Sequence, residues 1–164
     1  MGTRKALGVA VLALLTTDCS LEPRSCTEMA CSDQKTTLRA TVAVPLAQLS
    51  GGKVIACRSS GCVTSYSVVS APNGSLAINF AAEPSPGALV GSIVPVQGGS
   101  RAEVPMAITT DRFSVPEQET YRLQIFDGQG ASVFDKQAVS AGRSYPNGRE
   151  CDKDYFCTGN DVTF

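Results

Sequence analysis

The sequence predicts an all-β domain, arranged as a β-sandwich and braced by disulfides. Three observations carry this prediction. Apolar and polar residues alternate with a period of two from residue 36 onward, turn-forming residues recur every 8–12 positions, and no amphipathic helix exceeds about two turns. About eight or nine short strands with such spacing favour a sandwich. A closed barrel is the alternative that the same pattern permits.

The strands can be placed in order from this alternation. Leu38, Ala40 and Val42 alternate with polar neighbours in the first strand, and Pro45 stops it before a single helical turn at 46–52. Each later strand has a turn signal before it, among which Asn-Gly at 73–74 favours a tight hairpin turn. The remaining predicted strands are 53–58, 62–70, 76–80, 89–96, 102–110, 121–125 and 131–139.

Two prolines lie inside these predicted strands. Pro95 and Pro105 cannot donate to a central ladder, so we expect both at strand edges or bulges. The loops between strands are the expected contact surfaces, because loops on a rigid scaffold carry most binding. The three best candidates are the hairpin loops 58–61, 97–101 and 127–130.

The first 18 residues have the organisation of a bacterial secretion signal. Arg4 and Lys5 form a positive start, and residues 6–15 follow as an apolar run. The run of about ten residues is too short to span a membrane, which takes about twenty. A buried N-terminal helix is the alternative, but such a helix needs a polar face and this run has none. Residues 1–18 are therefore predicted to direct export and to be removed.

The end of this segment also resembles a lipoprotein signal. The resemblance lies in Leu14-Leu15-Thr16-Thr17-Asp18-Cys19, although Asp18 departs from the small residue usual before the cysteine. It implies that Cys19 becomes the first residue and carries lipid, including palmitate, as a membrane anchor. Ser20 after the cysteine implies transport to the outer membrane rather than retention at the inner one. A soluble secreted domain is the alternative.

Seven cysteines in an exported chain of this size indicate a disulfide framework. If Cys19 carries lipid, an even number remains. Cys57 and Cys62 flank a loop of hairpin length and are expected to face each other across two antiparallel strands. The others cluster near the two chain ends and would staple the N-terminal arm to the C-terminal tail. A zinc site is disfavoured, because there is no Cys-x-x-Cys spacing and no histidine. The six predicted disulfide cysteines are Cys26, Cys31, Cys57, Cys62, Cys151 and Cys157.

These features divide the chain into a signal peptide (1–18), a tether with a cystine-bearing arm (19–35) and a β-sandwich domain with a cystine-bounded tail (36–164). Removal of the signal takes two of the 14 basic residues and one of the 15 acidic residues, which leaves 12 and 14 and a formal charge of -2. This balance argues against nucleic-acid binding, which needs a basic patch. The absence of histidine removes the commonest general base and metal ligand.

Two further stretches resemble known families. Residues 116–125 resemble a late strand of an immunoglobulin-like or fibronectin-like sandwich, in which Tyr121 would be the tyrosine at the corner between sheets. The ending Tyr145-Pro146-Asn147-Gly148 before Cys151, with Cys26 and Cys31 near the start, resembles small uncharacterised bacterial lipoproteins. The resemblance implies an envelope lipoprotein with an immunoglobulin-like domain and brings no reaction or ligand.

Few residues suggest catalysis or metal binding. The sequence lacks a Gly-x-Ser-x-Gly elbow, a phosphate-binding glycine loop and a His-Glu-x-x-His motif. Carboxylates such as Glu83 or Glu103 could serve an envelope hydrolase if two of them converged in a cleft with a raised pKa. Oxygen-bearing side chains in the tail could bind calcium, but their spacing is not that of an EF-hand and a solvated acidic loop is the simpler interpretation. They are Asp152, Asp154, Asn160 and Asp161.

The sequence therefore predicts a non-enzymatic lipoprotein of the bacterial cell envelope, with its domain in the periplasm or at the cell surface. We expect a binding or structural module without a cofactor. Its expected partners are the membrane, through the lipid, and an envelope protein or glycan, but no nucleic acid. A secreted soluble binding domain and a hydrolase with paired carboxylates are the alternatives.

Overall fold

The computed structural model describes residue 31 and residues 34–59, 61–81, 87–107, 111–152 and 155–164. The predicted signal peptide, Cys19, Cys26 and Glu83 lie outside the described residues. In the part that is described, no helix has the length and apolar character needed to cross a bilayer.

The described chain is all-β, as the sequence predicts. It contains nine strands, one short α-helix, α1 (Leu46–Leu49), and a single 3-10 turn at Arg112–Ser114. The predicted helical turn after Pro45 is thus present, although it is shorter than expected. The strands are β1 (Lys35–Val42), β2 (Lys53–Arg58), β3 (Gly61–Ser70), β4 (Leu76–Phe80), β5 (Gly91–Val96), β6 (Gly99–Ala107), β7 (Gln118–Phe126), β8 (Ser132–Ala141) and β9 (Asp161–Thr163).

The nine strands form one sheet in the order β8-β7-β2-β3-β4-β5-β6-β1-β9, which is nearly barrel-shaped. All neighbours are antiparallel except β1 and β9. The long strand β3 pairs with β2 through its first half and with β4 through its second half, and its register shifts between Ser65 and Ser67. A bulge of this kind bends a strand, so β3 forms the corner of the sheet. This continuous ladder is closer to the barrel alternative than to two separate sheets.

The apolar residues that alternate with polar ones in the sequence are the residues that form the core. Leu38, Ala40 and Val42 of β1 are buried with Val104 of β6, and Tyr121 of β7 lies in the same interior. Side chains at every second position face inward because a strand alternates its faces. The buried apolar cluster continues through every strand from β1 to β9.

Both prolines lie where a neighbouring strand has ended. Pro95 of β5 is beyond the last residue paired with β4, and Pro105 of β6 is beyond the last residue paired with β5. The carbonyl of Pro105 instead accepts a hydrogen bond from the N–H of Leu89 (2.9 Å). The ladder therefore loses no donor at either proline, which confirms the expectation that they sit at edges.

The two ends of the barrel are built differently. The end that we call the helix end carries α1 and the turns at 71–75, 97–98 and 127–131. In the first of these turns Gly74 has φ +77°, the left-handed conformation that glycine adopts without strain. The opposite end, the tail end, carries the β2–β3 turn, the loop 111–117 and the irregular segment 142–160.

Backbone and Asx-type hydrogen bonds hold the helix end together. The Asp127 carboxylate accepts the N–H groups of Gln129 (2.9 Å) and Ala131 (2.8 Å). It also accepts the side-chain amide of Gln48 (3.3 Å), and the Gln48 carbonyl accepts the N–H of Gly128 (3.0 Å). The bond from Ala131, followed by that from Gln48, lowers the pKa of Asp127, because each stabilises the charged carboxylate.

Candidate binding cleft at the tail end

The tail leaves β8 at Ala141 and folds back over the loop that precedes β7. The N–H of Gly142 donates to the Glu117 carbonyl (2.9 Å). A Cβ at Gly142 would lie 2.1 Å from the Pro116 carbonyl oxygen, so only glycine permits this approach. Further along, Ser144 and Cys157 exchange two backbone hydrogen bonds of 2.8 and 2.9 Å. These contacts bring the two halves of the tail together.

Disulfides fix the tail and the neighbouring hairpin. Cys31 is bonded to Cys157, which lies 126 positions later in sequence, and their Cα atoms are 5.4 Å apart. Cys57 is bonded to Cys62, which lies directly opposite on the antiparallel strand β3. Cys151 is disulfide-bonded as well. The predicted Cys57–Cys62 pair is therefore confirmed, and Cys31–Cys157 confirms that the arm is stapled to the tail.

A buried ion pair lies beneath the tail. Arg58 is 2% exposed and Glu119 5%, and the arginine Nε donates to Glu119 Oε2 at 2.6 Å. One terminal nitrogen of Arg58 donates to the carbonyl of Thr158 in the tail (3.1 Å), whereas Nη1 has no partner. The sequence placed Arg58 in an exposed contact loop, and this expectation was wrong. The tail covers the arginine, and that cover comes from residues 100 positions away in sequence.

Tyr121 belongs to the same cluster. Its hydroxyl donates to Glu119 Oε2 (2.7 Å). Burial, and next the hydrogen bond to Glu119, raise the pKa of Tyr121 to about 12, because both disfavour the phenolate. Tyr121 thus contributes a second hydrogen bond to the buried carboxylate of Glu119, beside that from Arg58.

A surface cleft of about 660 Å³ lies between the tail and the adjacent ends of β7 and β8. Glu117 is the centre of its polar wall. The Glu117 carboxylate accepts the Tyr145 hydroxyl (2.8 Å) and one guanidinium nitrogen of Arg149 (2.6 Å). The lining residues are Pro116, Glu117, Gln118, Val139, Ser140, Ala141, Arg143, Tyr145 and Arg149. The hydrogen bond from Tyr145 lowers the pKa of Glu117, assisted by the Arg149 guanidinium.

The two arginines that line the cleft, Arg143 and Arg149, each lie against an aromatic ring. The Arg149 guanidinium lies 4.8 Å from the centre of the Tyr145 ring, and that of Arg143 lies 4.4 Å from the centre of Phe156. Arg143 also donates to the carbonyls of Val115 and Phe113. Arginine and aromatic side chains held in this way are typical of protein interaction surfaces. Phe113, whose carbonyl accepts from Arg143, is 54% exposed.

The cleft is suited to binding. It combines hydrogen-bond donors and acceptors with apolar side chains, and such groups confer orientation and specificity on a ligand. A general acid would need a carboxyl group with a raised pKa. The pKa of the Glu117 carboxyl is shifted in the opposite direction. The arrangement therefore supports recognition of a polar partner through hydrogen bonds and ring contacts.

The three loops predicted as contact surfaces do not meet. The turns 97–98 and 127–131 lie at the helix end, whereas 58–61 lies at the tail end, where Ser59 Oγ accepts the N–H of Thr120 (2.8 Å). The cleft had no direct indication in the sequence. Its one local signal was the Tyr145-Pro146-Asn147-Gly148 motif, which begins at a cleft residue.

The predicted carboxylates have other contacts. Glu103 lies on the exposed face of the sheet, where its carboxylate forms ion pairs with Arg39 and Arg101, each at 3.5 Å. Arg39 also binds Asp161 (2.8 Å). These distances indicate surface ion pairs, which contribute about 0–1 kcal/mol each to stability.

The candidate calcium-binding residues that the structure describes also have other partners. Asp152 is buried and accepts the backbone N–H of Asn147 (2.8 Å) and its side-chain amide (2.9 Å). Asn160 donates its amide to Ser140 (2.6 Å). Asp152 is thus a buried turn-stabilising residue rather than part of a solvated loop, and Asp154 lies outside the described residues. Within the described ranges, no three His, Cys, Asp or Glu side chains group as a metal site would require.

No protein-family model, curated protein or solved structure matches the chain.

Proposed function

We propose that this protein is a non-enzymatic, lipid-anchored binding module of the bacterial cell envelope. Lipid on Cys19 would hold the domain at a membrane, with the outer membrane preferred because Ser20 follows the cysteine. The observation that carries the binding function is the tail-end cleft, which is built on a β scaffold tied by disulfides. Disulfides persist in oxidising compartments, which supports export.

The immunoglobulin-like arrangement belongs to this proposal as well. Two features support it: buried and exposed residues alternate along short strands such as β7, and Tyr121 near the start of β7 is buried. In such a scaffold, binding groups are displayed at one end by loops. We assign that role to the tail end rather than to the helix end.

The partner we propose is an envelope protein or glycan that offers hydrogen-bonding groups together with apolar surface. Glu117 and Arg149 provide an acceptor and a donor side by side, 2.6 Å apart. Val139, at the cleft wall, is 63% exposed and offers an apolar contact. The combination of few fixed polar groups with apolar surroundings is typical of specific ligand sites.

Metabolic labelling tests the anchor. Cells that express the full chain are grown with a tagged fatty acid, and the protein is isolated and probed for label. We expect label on the wild-type protein and none on Cys19→Ala. An unlabelled wild-type protein released into the medium would instead identify the secreted soluble domain.

Site-specific crosslinking in intact cells tests the cleft. A photoreactive amino acid replaces Val139 in the cleft wall, and the control variant carries it in place of the exposed Gln129 at the helix end. We expect a discrete adduct from position 139 that weakens severalfold when Arg149→Ala is added. An adduct from position 129 alone would move the binding surface to the helix end.

A further inference from the structure

One disulfide lies on the surface in a place where the fold has little need of it. Cys57 and Cys62 are directly opposite each other in the β2–β3 ladder, and only five positions separate them in sequence. The stabilisation from a disulfide grows with the loop that it closes. Here the loop is short, and backbone pairing of β2 with both β3 and β7 already holds its ends.

The two bridges also differ in access. Cys62 is exposed and Cys57 half-buried, whereas in the long-range bridge Cys31 is half-buried and Cys157, which lies within the tail, is only 8% exposed. Exchange needs a thiolate to approach one sulfur in line with the bond, so it depends on access to that sulfur. A reductant therefore reaches the Cys62 sulfur more readily than either sulfur of the long-range bridge.

We propose that the Cys57–Cys62 bridge is a thiol–disulfide exchange site for a dithiol reductant, with the Cys62 sulfur as the atom attacked. This role goes beyond the proposed binding function and does not depend on what occupies the cleft.

The exchange proceeds in two steps. The incoming thiolate attacks Cys62 Sγ, the Sγ–Sγ bond breaks, and its electron pair leaves on Cys57 Sγ, which then takes a proton from water. The second thiol of the reductant then attacks the reductant's first sulfur, which is bonded to Cys62 in the mixed disulfide. The bond between that sulfur and Cys62 Sγ breaks, and Cys62 is released as a thiolate. The reductant ends as a disulfide and the protein gains two thiols. The Cα atoms of the pair are 3.9 Å apart in the ladder, which keeps the two thiols together for reoxidation.

The site adjoins the buried ion pair and the cleft. Arg58, next to Cys57, lies under the tail, and Ser59 at the tip of the turn binds the backbone of Thr120 on β7. The cleft residue Gln118 lies two positions earlier on the same strand. A partner covalently joined to Cys62 would thus stand beside the tail end.

Selective reduction tests the proposal. The full chain, purified with its lipid in detergent, is treated with dithiothreitol for increasing times, its thiols are alkylated, and the modified cysteines are identified by peptide mass. We expect Cys57–Cys62 to open at least about tenfold faster than Cys31–Cys157, as its access requires. Circular dichroism should stay unchanged while only the hairpin bridge is open. Equal rates, or loss of structure with that bridge alone open, would assign it a bracing role and overturn the proposal.

Two single variants test which sulfur is attacked. Cys57→Ser leaves the thiol of Cys62, and Cys62→Ser leaves that of Cys57. With oxidised glutathione as the probe, the Cys62 thiol should form the mixed disulfide severalfold faster than the Cys57 thiol. The reverse order would overturn the assignment of Cys62.

Discussion

The tail end and the helix end of the barrel are stabilised by different kinds of interaction. At the helix end, short turns close on themselves through backbone groups and the Asp127 carboxylate. At the tail end, a long irregular segment is held by the Cys31–Cys157 disulfide and the buried pair of Arg58 with Glu119. Turns of few residues lose little entropy on folding, whereas a segment far from its contacts loses more. Covalent and ionic contacts therefore concentrate where local hydrogen bonding does not suffice.

Removing the covalent ties of the tail should have the largest effect. The variant replaces all four cysteines of the arm and tail with Ser: Cys26, Cys31, Cys151 and Cys157. It opens the loop closed by Cys31–Cys157, whose ends are 126 positions apart, and loop-closure entropy predicts that the free energy of unfolding falls by about 5 kcal/mol. The matched variant, Cys57→Ser with Cys62→Ser, opens a short loop and should lose about 2 kcal/mol. Urea unfolding of the three proteins measures both losses. Equal losses would show that the tail depends on its covalent ties no more than the short β2–β3 hairpin does.

Breaking the buried ion pair should have the next largest effect. Arg58→Ala leaves Glu119 buried without its cation, which should cost about 3–5 kcal/mol in the free energy of unfolding. Arg122→Ala is the control, because its pair with Asp135 is exposed and should cost about 1 kcal/mol or less. Arg58→Met combined with Glu119→Gln should recover much of the loss, since no uncompensated charge then remains. If Arg58→Ala lowered the free energy of unfolding no more than the control does, the buried ion pair would not be what stabilises the tail end.

The smallest effect should come from Asp127 at the helix end, and it should depend on pH. The folded-state pKa of Asp127 is lowered, so its contribution to stability is complete above the ordinary carboxyl pKa of about 4 and is lost as the pH falls through the folded-state value. Asp127→Asn should thus destabilise the protein at pH 7 and much less at pH 2–3. Urea midpoints at these pH values measure the difference, with Asp111→Asn, an exposed cap of the 3-10 turn, as the control. A difference that does not change with pH would exclude the charge as its origin.

Local features were predicted well, because the residues that decide them are neighbours in the chain. The strand alternation in β1, the presence of a turn at Asn73-Gly74 and the Cys57–Cys62 pair each depend on about ten residues or fewer. The turn is wider than the tight one expected, because only Gly74, and not Asn73, has the positive φ that a two-residue Asn-Gly turn requires. The edge positions of Pro95 and Pro105 follow from the missing N–H alone. Such features needed no knowledge of the remainder of the fold.

The cleft could not be predicted in this way. Its wall combines Glu117 before β7, Val139 on β8 and Arg149 in the tail, which come together only when β7 and β8 pair and the tail folds back. The burial of Arg58 was missed for the same reason, since its cover and its Thr158 partner come from the chain end. A basic residue in a hairpin is usually exposed, and only long-range packing reverses this.

The sequence by itself determined that this chain is all-β, where eight of its strands fall and that Cys57 pairs with Cys62, because periodicity, turn chemistry and the spacing of these two cysteines act over short distances. The strand β9 and the partner of Cys31 were left open by the sequence. Only the tertiary structure decided that the strands join in one nearly closed sheet, that Arg58 lies beneath the tail and that a cleft forms beside Glu117. These features depend on which distant segments pack together, and the free energy of that packing comes from the whole core rather than from any one stretch.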